Sequence, residues 1–352
     1  MKIIRTFKIH FHLGNKTRQA IFNLLRRAFP MKIIGIAGIR SFVLAAALTV
    51  GLGSLSPAFA YTARVIVNPD GKLTYLGMPG KDINDAGQVV GSSGTTGGTP
   101  HAFITGPNGV GMTDLGTLGK SWSPSSGYGI NNAGQAVGSS YIIGGSFHAF
   151  ITGPNGVGMT DLGTLGGRYS VARSVNDAGQ VVGSAGTAGG GRHAFITGPN
   201  GVGMTDLGTL GGRDSFAIDI NDAGQVTGQS YTTDGDLHAF ITGPNGVEMT
   251  DLGTLGGNES FPHSINDAGQ VVGFSEAIRS YGAFITGPNG VGMAEFSIPG
   301  ASSISADGIN DAGQVAGSFY TTGGAPHAFI TGPNGVGMTD LNSYADLPEG
   351  LY

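Results

Sequence analysis

The chain has 352 residues, of which 66 are glycine and none is cysteine, so disulfide cross-links are excluded and stability must come from packing alone. Nine of the 18 lysines and arginines lie in residues 1–60, which contain no acid, so residues 61–352 carry nine cations against 23 acids, a net charge of −14. That charge excludes a basic groove for nucleic acid and disfavours non-specific attraction to anionic lipid.

The first element along the chain is a leader. Residues 31–60 combine a short basic start at Lys32 and Arg40, an apolar run from Phe42 to Leu52 and a small-x-small ending that closes at Ala60. This pattern predicts a secretory signal peptide that is cleaved after that last alanine. The apolar run is too short for a stable membrane span.

Residues 1–30 precede this signal and are basic, with seven lysines and arginines and no acid. We interpret them as an upstream extension, with translation starting at Met31. The alternative is a basic amphipathic leader that lies on a membrane surface. The predicted organisation is therefore an extension (1–30), a signal peptide (31–60) and one exported domain (61–352) located outside the cell, at its surface or in the periplasm.

The exported part is built from one repeat. The motif INDAGQVVG and its variants recur at intervals of 44 to 47 residues, and each copy is followed by a relative of HAFITGPNGVGMTDLG. The first residue of the motif falls at Ile83, Ile130, Val175, Ile220, Ile265 and Ile309. Six full units are present, and a half unit, VIVNPDGKLTYLG at residues 65–77, precedes them.

Each unit reads as four short strands. In residues 215–254 we predict strands a to d at SFAIDIN, QVTGQSY, LHAFITG and VEMTDLGTL. The turns N-D-A-G-Q and G-P-N-G-V put a glycine where positive φ is needed, which is typical of tight hairpins. Four antiparallel strands in about 45 residues have the size of a propeller blade. The sequence therefore predicts an all-β fold, a β-propeller of about six to seven four-stranded blades; the alternative is an open β-solenoid of stacked hairpins.

The strand count leaves the ring uneven. Two leading strands and six units of four give 26 strands, or six and a half blades. Either a six-bladed ring leaves one hairpin unpaired, or a seven-bladed ring lacks half a blade through C-terminal truncation, which is the interpretation we favour. Unpaired strand edges would then invite dimerisation or aggregation.

The repeated tripeptide His-Ala-Phe begins at His101, His148, His193, His238 and His327. With the N-D-A-G-Q-V-V-G segment and the D-L-G-T-L-G-G exit, residues 65–341 resemble the HAF-repeat family of exported bacterial proteins. The resemblance implies an extracellular or surface protein whose biochemical function is unassigned. Members often carry a C-terminal sorting signal, and none is visible after Leu341, which departs from that pattern.

These histidines and a matching set of aspartates are predicted to be structural ties. The aspartates are Asp114, Asp161, Asp206, Asp251 and Asp340. If Gly106 lies opposite Val110, the register places Ala102 opposite Asp114. The imidazole of His101 and the carboxylate of Asp114 then point to opposite faces of the sheet, so that a histidine and an aspartate could meet only between blades. In the fifth unit Gly282 and Glu295 replace the pair, which indicates that the fold tolerates one lost tie.

No cofactor, metal site or catalytic residue is predicted. One histidine per blade is a poor metal site, and GPNGVG is followed by a strand rather than by the helix that a phosphate loop needs. No Ser-His-Asp or paired-carboxylate pattern occurs at a unique position. If the protein were an enzyme, His263 on strand a would be the single candidate.

The connections between strands suggest where function lies. The a–b and c–d turns are nearly invariant, whereas the b–c and d–a connections, which emerge on the other face, differ between units. Variation on a rigid frame is typical of a binding surface. The predicted ligand-binding residues of that face are Trp122, Tyr128, Tyr141, Tyr169, Tyr231 and Tyr320, with Tyr281 and polar neighbours such as Arg168, Arg213, Asp214, Asp234 and Asp236.

The leading hypothesis is a non-catalytic exported propeller that binds a glycan or a protein partner through this face. A propeller-fold polysaccharide lyase or hydrolase, and a purely structural extracellular spacer, are the alternatives.

Overall fold

The computed structural model describes residues 80–277, 281–298, 300–321 and 326–340, together with the backbone of five short strands nearer the N-terminus. Those five strands are β1 (Phe7–Lys8), β2 (Phe42–Leu44), β3 (Thr62–Ala63), β4 (Val65–Val67) and β5 (Leu73–Tyr75). Apart from β1 and β2, the predicted extension and signal peptide lie outside the described residues, as does the segment after Asp340.

Six four-stranded antiparallel units, which we number as blades I to VI, follow in the described residues, and a single parallel bridge between Leu237 and Glu259 joins blades IV and V into one sheet. Their strands, in the order a to d, are as follows. Blade I has β6 (Gly80–Ile83), β7 (Val89–Gly94), β8 (Pro100–Ile104) and β9 (Thr113–Gly116). Blade II has β10 (Ser125–Ile130), β11 (Ala136–Tyr141), β12 (Phe147–Thr152) and β13 (Met159–Asp161). Blade III has β14 (Gly166–Val175), β15 (Val181–Thr187), β16 (Arg192–Thr197) and β17 (Met204–Asp206).

Blade IV has β18 (Gly211–Ile220), β19 (Val226–Thr232), β20 (Leu237–Thr242) and β21 (Met249–Gly253). Blade V has β22 (Gly256–Ile265), β23 (Val271–Ala277), β24 (Tyr281–Thr286) and β25 (Met293–Phe296). Blade VI has β26 (Ala301–Ile309), β27 (Val315–Thr321), β28 (Pro326–Thr331) and β29 (Met338–Asp340). One 3₁₀ turn joins strands c and d in each blade, at Pro107–Gly109, Pro154–Gly156, Pro199–Gly201, Pro244–Gly246, Pro288–Gly290 and Pro333–Gly335.

The core lies between the blades. Phe240 and Ile241 follow each other on strand c and point to opposite faces of the sheet, yet both are buried. Each face is therefore covered by a neighbouring blade, and a typical cluster joins Val182 and Ile196 of blade III to Phe240 of blade IV. This two-sided burial explains why the strands carry apolar residues on both faces.

The blades are arranged around an axis. A cavity of about 70 Å³ is lined by the inner ends of strand a from all six blades, from Ile83 in blade I to Ile309 in blade VI. First and last units meet at one cavity in a ring, whereas an open solenoid would hold them far apart. The predicted β-propeller is thus confirmed.

A hydrogen-bonded ladder joins the a–b turns of successive blades. The Asn131 side-chain amide donates to Gln135 Oε1 (2.7 Å) in its own turn and to the carbonyl oxygen of Asn176 in the next blade (3.0 Å). The link between blades recurs five times, with Nδ2 to oxygen distances of 3.0 to 3.1 Å, along Asn84, Asn131, Asn176, Asn221, Asn266 and Asn310. The N-D-A-G-Q turn is thereby the joint between blades.

The leading half unit forms the predicted hairpin. Strands β4 and β5 pair antiparallel, with Val65 opposite Tyr75, and β2 pairs with the other edge of β4. Strand β5 contacts the Pro107–Gly109 turn of blade I. Within the described residues the ladder does not continue from Asn310 to Asn84. The structure therefore has six complete blades and a partial one next to blade I.

The c–d hairpin contains a bulge at which glycine is needed. Gly111, Gly158, Gly203, Gly292 and Gly337 occupy this position with φ between +65° and +71°. In blade IV the residue there is Glu248, with φ +57°. An L-residue other than glycine in this left-handed region costs about 1 to 2 kcal/mol.

We predict that Glu248→Gly stabilises the protein. Relief of that strain is partly offset by the roughly 0.5 to 1 kcal/mol of chain entropy that glycine loses on folding, so the free energy of unfolding should rise by up to about 1 kcal/mol. Urea denaturation measures the change. The matched control is Gly203→Ala in blade III, where no atom obstructs a new Cβ and only φ matters; it should be destabilised. A stabilised control would contradict the explanation.

Candidate functional site

The repeated histidine and aspartate meet within one hairpin. His101 Nδ1 lies 2.9 Å from Asp114 Oδ2. The prediction that they point to opposite faces was wrong. Gly106 does bond to Val110, but the bulge at Gly111 adds a residue, so that Asp114 stands opposite Phe103 rather than Ala102. A slip of one residue moves a side chain to the other face of a sheet, which here is the face of the histidine.

Five blades carry this pair, and all five Nδ1 to Oδ2 distances are 2.8 to 2.9 Å. In blades I to IV the aspartate Oδ1 also accepts the backbone N–H of the glycine two residues later, as Asp161 does from Gly163 at 2.7 Å. The aspartates are 25 to 54% exposed, so water screens the pairs. In blade V, Glu295 occupies the space that a Cβ on Gly282 would need.

The two ends of each blade differ in what they present. At the first, the turn end, the c–d turn bonds to the a–b turn, for example through Asn108 N to the Ala86 oxygen at 3.0 Å. The second end is the loop end, where strand b connects to strand c and where strand a begins. In blade IV, Gly211 at the start of strand a pairs there with Thr232 at the end of strand b. The b–c and d–a connections therefore emerge together.

Five of the six predicted aromatic residues lie at the loop end. Trp122 is in the d–a connection before blade II, is 66% exposed and has Lys120 Nζ 5.1 Å from its ring centroid. Tyr141, Tyr231 and Tyr320 lie in the last two residues of a strand b, and Tyr169 is near the start of strand a of blade III. They are spread over blades II, III, IV and VI, and no ring contact among the described residues joins any two of the six.

Tyr128, the sixth, is not in a loop. It is the bulged residue of β10, and Arg173 of blade III lies 5.1 Å from its ring centroid. The same position in the other blades is occupied by Lys81, Arg173, Ile218, His263 and Asp307. Sequence reasoning missed this inner set, although a variable residue three places before each ladder asparagine could have revealed it.

Two ionisable residues near the axis are held by neighbouring blades. His263 Nδ1 lies 2.8 Å from the carbonyl oxygen of Ala306 and 4.0 Å from Asp307 Oδ1, and its ring packs on Phe274. Asp219, which the sequence analysis did not single out, lines the axial cavity and accepts the hydroxyls of Ser174 at 2.8 Å and Ser264 at 3.2 Å. Both residues thus serve contacts between blades.

Basic residues gather where blades III and IV meet at the loop end. The Arg192 guanidinium lies 4.6 Å from the ring centroid of Tyr169 and 5.4 Å from that of Phe216, and its Nε donates to the Tyr169 hydroxyl at 3.0 Å. Its backbone N–H donates to Asp214 Oδ1 at 2.7 Å. Arg213 Nη2 donates to the Gly190 oxygen at 2.8 Å. Arg192 was missed because it directly precedes a copy of the repeated His-Ala-Phe.

Blade V has the opposite charge at its loop end. Partial desolvation raises the pKa of the Tyr281 hydroxyl, and the carboxylates of Glu259 and Glu276 raise it further. That hydroxyl donates to Glu259 Oε2 at 3.4 Å. The loop end therefore changes from basic to acidic between neighbouring junctions.

The described residues include neither a cluster of metal-ligating side chains nor a membrane-spanning helix. No three histidine, aspartate or glutamate side chains there are grouped to hold a metal ion. No helix among them is long and apolar enough to span a membrane.

No protein-family model and no curated protein matches the chain. Several solved structures do. A prolyl endopeptidase is 8% identical with a TM-score of 0.57, and the match covers 92% of this chain and 51% of that one. A puromycin-hydrolyzing peptidase of Mycobacterium tuberculosis is 11% identical with a TM-score of 0.55, covering 82% and 51%.

The β-propeller domain of the Trilobed protease from Pyrococcus furiosus, which has an open velcro topology, is 11% identical with a TM-score of 0.53. That match covers 81% of this chain and 91% of the domain. The chain thus spans about half the length of the two peptidases but most of the isolated propeller. At these identities the likeness shows the fold alone, which is that of a β-propeller.

The His–Asp pairs generate a prediction about stability. In a double-mutant cycle of His148→Ala and Asp161→Ala, we expect a coupling of about 0.5 kcal/mol in the free energy of unfolding, because the pair is partly exposed. Urea denaturation of the four proteins measures it. The control cycle combines His148→Ala with Asp251→Ala, two blades away, and should be additive. Equal coupling in both cycles would rule out a local tie.

Proposed function

We propose that this protein is a non-catalytic, exported binding scaffold that recognises a glycan or a protein partner through the loop end of its propeller. One observation carries the proposal, namely the contrast between an invariant turn end and a loop end that exposes different side chains in each blade. Export rests on the signal-peptide pattern in residues 31–60 and on the resemblance to HAF-repeat proteins.

The turn end leaves little room for change. Gly87 of blade I has φ +73°, and a Cβ there would come within 2.9 Å of the Asn108 backbone nitrogen. The Gln88 side chain bonds to Asn155 of the next blade at 3.3 Å. A substitution in one turn would therefore disturb the adjoining blade, which favours a structural role for this end.

The loop end has the composition of a recognition surface. In blade II the rings of Tyr141 and Phe147 meet edge to face, with centroids 5.2 Å apart, and Phe147 and Ile143 are exposed. Exposed aromatic faces can stack on the apolar faces of sugar rings, while nearby polar groups bond to hydroxyls. The same mixture is typical of the centre of protein interfaces.

The surroundings of His263 give it a structural role. Its Nδ1 is engaged by the Ala306 oxygen and its ring packs on Phe274, so that it acts as a contact between blades V and VI.

We predict that Trp122→Ala and Tyr231→Ala each weaken binding to a glycan or protein captured by the wild-type protein about tenfold, since each removes an exposed aromatic contact. Binding assays measure the loss, and thermal denaturation should give an unchanged Tm. The control is Val202→Ala, which truncates an exposed apolar side chain at the turn end. If the control weakens binding and the two aromatic variants do not, the loop end is the wrong surface.

A further inference from the structure

The few basic residues of the propeller are concentrated in one place. The described residues of blades I to VI include six lysines and arginines, and none lies in an a–b or c–d turn. Three of the six, Arg168, Arg192 and Arg213, come from the strand starts that frame the junction of blades III and IV at the loop end. In a chain with excess acid, this clustering calls for a physical explanation.

Backbone packing draws the three arginines together. The b–c loop of blade III lies on the start of strand a of blade IV, where a Cβ on Gly191 would meet the Arg213 carbonyl oxygen. On the other side Gly186, which pairs with Arg192, lies against the backbone nitrogen of Arg168. The three residues therefore lie on neighbouring strand starts at the loop end of blades III and IV.

Among the described residues, no carboxylate forms an ion pair with any of the three guanidinium groups. Every ion pair among the described residues is between histidine and aspartate, and none involves an arginine. Asp214, the acid in direct contact, directs Oδ1 to the backbone N–H of Arg192. Three neighbouring like charges repel each other, and a bound anion would offset that repulsion.

The guanidinium of Arg192 is pre-organised for binding an anion. Its guanidinium is stacked between Tyr169 and Phe216, and the Nε bond to the tyrosine hydroxyl fixes its plane. Such cation–π stacking lowers the entropy lost on binding. The Nη groups make no hydrogen bond to the described residues, so their planar fork remains available to a carboxylate in a bidentate arrangement.

We infer that this junction binds the carboxylate groups of an acidic polysaccharide; the inference rests on the proposed function and names its ligand class. A single carboxylate would need one arginine, whereas three arginines suit a polymer with repeated charges. Tyr231 adjoins them, because Gly212, next to Arg213, packs on its side chain. An aromatic face beside the charges suits a sugar ring between carboxylates.

The test compares polygalacturonate oligosaccharides with the same oligosaccharides after complete methyl esterification, titrated calorimetrically into the secreted protein. The charged form should bind, more weakly as salt rises, and the neutral ester should not. The double variant Arg168→Gln/Arg213→Gln should lose about tenfold or more in affinity, since bonds to charged groups are lost. Lys81→Gln/Arg173→Gln, with the same change of charge on the inner strands, is the matched control and should bind like the wild type.

Several outcomes would overturn the inference. Equal binding of the neutral ester, equal loss in the control variant, or equal binding of a polyglutamate peptide would each do so, as would no binding to polygalacturonate. If a neutral glycan or a protein binds in a manner that depends on Trp122, only the ligand class fails. If no ligand depends on any loop-end residue, the proposed function fails as well.

Discussion

The side-chain amide of one buried asparagine in each of blades I to V sets the spacing between that blade and the next. In blade II the Oδ1 of Asn131 accepts the backbone N–H of Gln135, and its Nδ2 donates both within the turn and to the next blade. A buried amide left without partners costs about 1 to 3 kcal/mol, so each blade is complete only when its neighbour is in position. The apolar contacts between blades supply most of the burial energy, but they are not directional. The amide ladder is what defines the angle and height at which one sheet meets the next.

The location of this directional amide ladder at the turn end explains the pattern of variation in the sequence. The turn end carries the ladder, and its residues are repeated almost unchanged from unit to unit. Towards the loop end a second link joins blades I to V, where a buried serine hydroxyl of strand a accepts the backbone N–H of the alanine in strand c of the preceding blade. The exposed side chains beyond it make local contacts, such as Arg192 with Tyr169 and Phe216, or Tyr281 with Glu259. Side chains there can change without moving the frame. A binding surface on such a frame can be altered one junction at a time.

Much of this fold could be predicted from the sequence, because its turns and alternating strands recur at a fixed period. The hairpin register could not, although both the turn and a bulge glycine were evident. The position of the extra residue decides which face of the sheet Asp114 occupies. Here the extra residue is at Gly111, between the Gly106–Val110 pair and the paired part of strands c and d. For the candidate site, exposed loop residues such as Trp122 follow from the strand count. The stack around Arg192 does not, since its two rings lie 23 and 24 residues away and belong to two blades.

The asparagine ladder also has a direction, and this bears on how such a protein can lengthen. Every link runs from the side chain of one unit to the backbone oxygen of the unit that follows it. Each unit therefore presents an asparagine side-chain donor to the unit that follows it and a backbone oxygen acceptor to the unit that precedes it. A duplicated gene segment of one period would encode a new blade whose asparagine donor and backbone acceptor match those of both neighbouring blades without further change. Growth by copying would need no compensating mutation at either new boundary, and near-identical units are the trace that such copying leaves.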